Sequence, residues 1–163
     1  MSKASTLITR ARLRLKDPGE KTYSRYEMLD YLNDAVDFVS MELIAQQDLD
    51  MIYEINHTSG EALPDNFVAF AGQHPVYTKN GLTYATDTAA TSTTIRYFGK
   101  KDRVEDVEAN SPFLSMYDPV LVQLMVIFAM NRDTGGIPAD AEILNQIRQN
   151  IGVIKQQQQK AQG

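Results

Sequence analysis

Apolar side chains near the start of the chain return at the spacing of an α-helix. Ala4, Leu7, Ile8, Ala11 and Leu15 share one face, which predicts a helix over about 3–16. Lys3, Arg10 and Arg14 stand together at its edge, and Asp17-Pro18-Gly19 ends it. Ser24, followed three residues later by Glu27, makes a capping box in which each side chain satisfies an orphan amide. Leu29, Leu32, Val36, Val39 and Leu43 then mark the apolar stripe of a second helix over about 25–47. Its polar side carries Asp30, Asn33, Asp34 and Asp37. Like charges at such spacing repel by roughly 0.2–0.5 kcal/mol per pair. Tyr31 and Phe38 fall between the two faces, where their rings either cover the edge of the core or meet another subunit.

From 49 to about 107 the helical period gives way to a β pattern. Met51–Asn56 alternates, Leu63-Pro64 and Phe67–Phe70 read as a turn leading into a short element, and Thr93–Phe98 is a further β-rich run. Lys79-Asn80-Gly81 sits between two alternating stretches, a strong hairpin signal. The Thr/Ala-rich stretch 86–92 reads as a loop. Asp118-Pro119 then opens a helix over about 119–132, in which Gln123 is the only polar residue between Val120 and Met130. A helix so apolar must be covered on nearly every side, either as the central core helix or partly by neighbouring subunits. After the Gly135-Gly136 break, Ile143, Leu144, Ile147, Ile151 and Ile154 predict a last helix over about 138–154. Residues 155–163 hold no large apolar side chain and are expected to form a solvated, flexible tail. The expected class is mainly α (α+β), with a small antiparallel β region inserted between helices.

Charge is distributed unevenly. Residues 1–25 hold seven basic side chains and two acids, whereas residues 26–70 hold ten acids and no Lys or Arg. Complementary surfaces explain this better than the net charge of −5 does. With 163 residues the chain can bury its own core, and without cysteine it has neither disulfides nor thiolate metal sites. Arg10, Arg12 and Arg14 interrupt any signal-like apolar run, and the apolar stretch ending at Met130 is shorter than the ~20 residues a membrane span needs. No membrane association is expected.

Catalytic chemistry is sparsely represented. His57 and His74 lack metal-ligand spacing, and His57 with Glu61 reads as a surface histidine beside an acid. Gly99-Lys100-Lys101 lacks the remainder of a phosphate loop, and no nucleophile elbow is present. No enzymatic activity and no cofactor are expected. Duplex DNA binding is opposed by a pI near 5.0 and by the acids of the second helix. The same acids suit a surface past which DNA slides without adhering.

The segment from Tyr23-Ser24-Arg25-Tyr26-Glu27-Met28-Leu29 through Asp30-Tyr31-Leu32-Asn33-Asp34-Ala35 resembles the helix opening of head-to-tail adaptor (connector) proteins of tailed bacteriophages. Arg12-Leu13-Arg14-Leu15-Lys16-Asp17-Pro18 resembles the lead-in found there, Leu63-Pro64-Asp65-Asn66-Phe67 the turn after the first β segment, and Tyr117-Asp118 the start of the third helix. The likeness follows element order across residues 4–154. Tyr23 replaces the family's usual tryptophan or phenylalanine, and the 86–92 loop has no counterpart.

The resemblance implies a non-catalytic virion protein of the head–tail neck, assembled in the host cytoplasm. It implies an antiparallel helical bundle with a β insertion, forming a ring, usually dodecameric, beneath the portal. The implied partners are the portal protein, a tail or nozzle protein, further copies of the chain, and double-stranded DNA passing through without sequence-specific binding. Lys3, Arg10, Arg14, Tyr31 and Phe38 then become candidates for the subunit interface. Asp30, Asp34 and Asp37 would line the channel or meet a neighbour. The candidate portal-binding set is Ile151, Ile154, Lys155, Gln156, Gln157, Gln158, Gln159 and Lys160, unless that end is simply a frayed terminus. A tail-side stopper or tube-like component, or a small DNA-binding regulator, are the alternatives.

Overall fold

The computed structural model describes residues 1–133 and 141–162, and the side chains of these except 133 and 159–162. The first helix, α1 (Ala4–Arg14), has no side-chain cap; the amides of Ala4 and Ser5 instead donate to the carbonyls of Ala109 and Val107 at 2.9 and 2.7 Å. It ends in a Schellman arrangement. Lys16 adopts a left-handed φ of 57°, while the amides of Lys16 and Asp17 return to the carbonyls of Leu13 and Arg12. The capping box of α2 (Arg25–Ala45) is present in both directions: Ser24 N donates to Glu27 Oε2 at 2.7 Å, and Glu27 N donates to Ser24 Oγ at 3.2 Å. The same C-terminal device recurs after α2, with Gln47 at φ 54°.

The chain divides into two units, one made of residues 1–42 and 102–163 and the other of residues 43–101. In the first, α1 lies against α3 (Asp118–Asp133), which also contacts α4 (Ala141–Gln162). Its core is built from Leu7 of α1, Met28, Leu32 and Val36 of α2, Leu121, Leu124 and Met125 of α3, and Ile147 and Ile151 of α4, all fully buried. At ~1.5–3 kcal/mol per large side chain, this burial is the main drive to fold the unit. The stretch 102–107, expected with the β region, belongs here and buries Val104 and Val107. Asn33, expected on the polar side of α2, is buried too. Its Nδ2 donates to Val104 O at 3.1 Å, and its Oδ1 accepts from Val104 N at 2.7 Å.

The second unit holds β1 (Ile52–Thr58), β2 (Phe67–Phe70), β3 (Val76–Lys79), β4 (Leu82–Ala85) and β5 (Ser92–Gly99). Strands β1, β5 and β2 form one antiparallel sheet in that order, and β3 and β4 form a two-stranded hairpin. Asn80 and Gly81, at φ 53° and 78°, make its type I′ turn, as the Asn-Gly pair predicts. Rings run in series from Tyr53 to Tyr97, Phe67, Phe70 and His74, with centroids 4.9–5.7 Å apart. A Cβ at Gly99 would come within 2.9 Å of Tyr97 Cε2 and 3.0 Å of Tyr53 Cδ2, so only glycine lets these rings close over the strand. His57 is not a surface residue: it is buried, with Nε2 3.3 Å from Thr83 O.

The fold is therefore mixed α+β, with four helices among the described residues. The expected boundary at 154 does not interrupt the backbone, because α4 runs on to Gln162. Glutamine, lysine and alanine are good helix formers, and no proline or glycine intervenes after Gly152. The expected start of this helix, at 138, lies outside the described residues.

Asn33→Ala leaves the buried Val104 amide and carbonyl unpaired. It is expected to cost about 2 kcal/mol, read as a lowered midpoint in urea denaturation, and Asn33→Asp should rescue little because a carboxylate cannot donate to Val104 O.

Candidate interaction surfaces

The turn between α1 and α2 is organised by one carboxylate. Asp17 Oδ1 accepts from the amides of Lys21 and Thr22 at 2.8 and 3.1 Å, and Oδ2 accepts from Tyr23 N at 3.1 Å and Arg12 Nη1 at 3.0 Å. Arg12 Nη1 also donates to Tyr23 O at 2.9 Å. Both side chains are 4% exposed. Burial by itself pushes the Asp17 carboxyl up; the three amides and the Arg12 guanidinium outweigh it and hold the group below its ordinary value. Lys16-Asp17-Pro18 and Tyr23-Ser24, two of the singled-out stretches, thus meet in one local structure.

The basic edge of α1 is partly consumed within the chain. Lys3 Nζ lies 3.0 Å from Glu108 Oε2, and Arg10 Nη1 3.5 Å from Asp118 Oδ2, which also accepts from Ser2 Oγ at 2.5 Å. Only Arg14 of that trio is exposed with no ion pair among the described residues. Sequence reasoning missed these pairings because each joins positions more than a hundred residues apart.

On α2, Asp30 and Asp34 are exposed and Asp37 is half-buried. Asp34 Oδ1 lies 3.5 Å from Arg103 Nη2. Partial burial, reinforced by Asp30 and Asp37, raises the Asp34 carboxyl above its ordinary value despite Arg103. The three acids are therefore brought together as one field. Tyr31 and Phe38 are half-buried, covered by their own chain: Tyr31 meets Tyr23 edge-on at 6.3 Å, and the Arg148 guanidinium lies 5.8 Å from the Phe38 ring centroid. Arg148 Nε also donates to Glu42 Oε1 at 2.7 Å, tying α4 to α2. At the other end of α2, Glu27 pairs with Arg132 of α3. The Ser24 amide and hydroxyl, followed by Arg132 and Arg12, lower the Glu27 carboxyl against a smaller effect of burial.

Within the candidate portal-binding set, Ile151 is a core residue rather than a contact surface, because it is fully buried on the inner stripe of α4. Ile154, Lys155 and Gln158 are half-buried, Gln156 and Gln157 are exposed, and the side chains of Gln159 and Lys160 lie outside the described residues. Helix α3, expected to be covered by the core or partly by neighbouring subunits, carries one helical stripe, Gln123, Val126, Ile127 and Met130, that is only partly covered among the described residues. The first three are half-buried and Met130 is 55% exposed. Among the described residues, no group of His, Asp or Glu has metal-holding geometry, and no helix is long and apolar enough to cross a membrane.

No protein-family model matches the chain, and no curated protein sequence matches it.

Asp34 and Glu27 carry opposite pH signatures. A raised Asp34 makes its charge unfavourable above the folded pKa, and this cost vanishes below the ordinary value of 3.8. A lowered Glu27 contributes fully above 4.5, and its contribution is lost as pH falls through the folded pKa. Asp34→Asn is therefore expected to raise stability near pH 7 by no more than about 0.5 kcal/mol and to be neutral near pH 3. Glu27→Gln should lower stability near pH 7, with the deficit shrinking on acidification; urea titrations at both pH values check the pair.

Proposed function

We propose that the chain is a structural head-to-tail adaptor of a tailed-bacteriophage virion, joining the portal ring to the tail and surrounding the DNA path. In this reading the helices form an antiparallel bundle, copies of the chain close into a ring, and the protein performs no catalysis. One observation carries it: each stretch that resembles the adaptor family falls at a structural joint of the expected kind. Arg12 to Pro18 closes α1, Ser24 and Glu27 cap α2, the Phe67 amide returns to Pro64 O at 2.9 Å in the turn after β1, and Tyr117-Asp118 leads into α3.

The partly uncovered apolar stripe on α3 supports assembly. Val126, Ile127 and Met130 leave apolar area in water that a neighbouring subunit would remove, in contacts that close when repeated head to tail. The free Arg14 and the acidic cluster of α2 supply complementary charge for such a contact, or the acids face passing DNA and repel it. A tail-side stopper or tube would call for a predominantly β core, which four helices do not favour. A DNA reader would need polar side chains free on its helix, and Asn33 is committed to Val104.

Mixing the protein with its portal and examining the mixture by native mass spectrometry and negative-stain imaging is expected to give ring-sized complexes. A strict monomer with no portal affinity would overturn the reading. Met130→Asp, at an exposed position, should abolish ring formation while shifting Tm little. Deleting residues 155–163 should leave Tm nearly unchanged and weaken portal attachment; a fall of many degrees would make the end of α4 structural instead.

A further inference from the structure

The hydrogen bonds of the Arg12 guanidinium lie on one side only. Nη1 serves Asp17 and Tyr23, whereas Nε and Nη2 are buried without a hydrogen-bond partner. Leaving such donors unpaired costs more than a single hydrogen bond returns, so this edge is under pressure to acquire an acceptor. Arg12 also lines a cleft of about 250 Å³ in the helical unit, together with Ile8, Thr9, Glu20, Arg25 and Val107 among others. Glu20 Oε1 lies 3.6 Å from Nε, an ion pair just beyond hydrogen-bond reach, on a side chain that is 57% exposed. Glu20 stands at a left-handed φ of 55° in the α1–α2 turn. Arg25, exposed, has no ion-pair or hydrogen-bond partner among the described residues.

We propose that the Nε/Nη2 edge of Arg12 is a receiving site for a carboxylate, loosely covered by Glu20 in the free chain, and that its ligand is an acidic side chain on a partner peptide. Two parallel N–H donors match the two oxygens of a carboxylate. Displacing Glu20 uncovers them, and Arg25 at the same cleft adds a second positive charge. The cleft is smaller than the ~300–1,000 Å³ typical of sites that enclose a whole small molecule. It therefore suits one side chain with its flanking backbone, resting on Ile8 and Val107. Glu20 and Glu108 both line the cleft, so a singly charged carboxylate fits better than a phosphate dianion. This site does not require a ring and stands apart from the adaptor reading.

The test is an NMR titration of the full chain with the peptide acetyl-Ala-Glu-Ala-amide, following the Arg12 Nε–Hε signal and the backbone amides of Thr9 and Val107. Acetyl-Ala-Gln-Ala-amide and inorganic phosphate serve as the comparison ligands. Saturable shifts are expected with the glutamate peptide and not with the glutamine peptide. Glu20→Ala, which removes the competing carboxylate, should tighten binding by about threefold, and Arg25→Ala should weaken it by a similar factor. Neither variant touches the Arg12–Asp17 pair, so both are expected to keep the wild-type Tm. Absence of saturable shifts in Glu20→Ala, tighter binding of phosphate than of the glutamate peptide, or an equal response to the glutamine peptide would each overturn the proposal.

Discussion

A buried charge pair sets the course of the first forty residues. The chain must leave α1, turn and begin α2 within ten residues, and it does so around the Asp17 carboxylate. Arg12 fixes that carboxylate from the α1 side and binds Tyr23 O as well, so the residue preceding the α2 cap is held through both its amide and its carbonyl. Ser24 and Glu27 can then close the capping box, and the Glu27 carboxylate is left pointing toward Arg132 on α3. Buried ion pairs contribute little net stability compared with apolar packing. Here the gain is positional: one arginine registers the end of one helix, the turn and the start of the next.

The same logic separates what a reader of the sequence sees from what stays hidden. The Ser24/Glu27 box and the Asn80-Gly81 turn are legible because all their hydrogen bonds close within a few residues. Asn33 reads as a surface residue because its polar side chain gives no sign that its partner, Val104, lies 71 residues ahead in a stretch without regular structure. His57 hides for a similar reason, its carbonyl partner being 26 residues away. Composition also misleads locally. A run of glutamine and lysine with no apolar side chain suggests a loose tail, yet these residues are good helix formers and α4 continues through them to Gln162.

The candidate surfaces divide along the same line. Lys3 and Arg10 look like an open basic edge until Glu108 and Asp118 return from the far end of the chain to meet them. What remains outward is narrower than the charge count suggests: Arg14, Lys16, Lys21, Arg25, the Asp30/Asp34 cluster and the apolar stripe of α3. An interface built from these elements would combine a small greasy strip with flanking charges of both signs, an arrangement that fixes orientation better than it maximises affinity.

The division of the sequence between the two units has a consequence for the chain's emergence from the ribosome. Residues 43–101 are contiguous and can complete their sheet as soon as they are made, whereas α1 and α2 wait for α3, α4 and the Val104 backbone before their apolar faces are covered. Helices α1 and α2, translated before the residues that cover them, are thus among the last elements of their unit to be shielded. During that interval Leu7, Met28, Leu32 and Val36 lack the side chains that bury them in the folded unit.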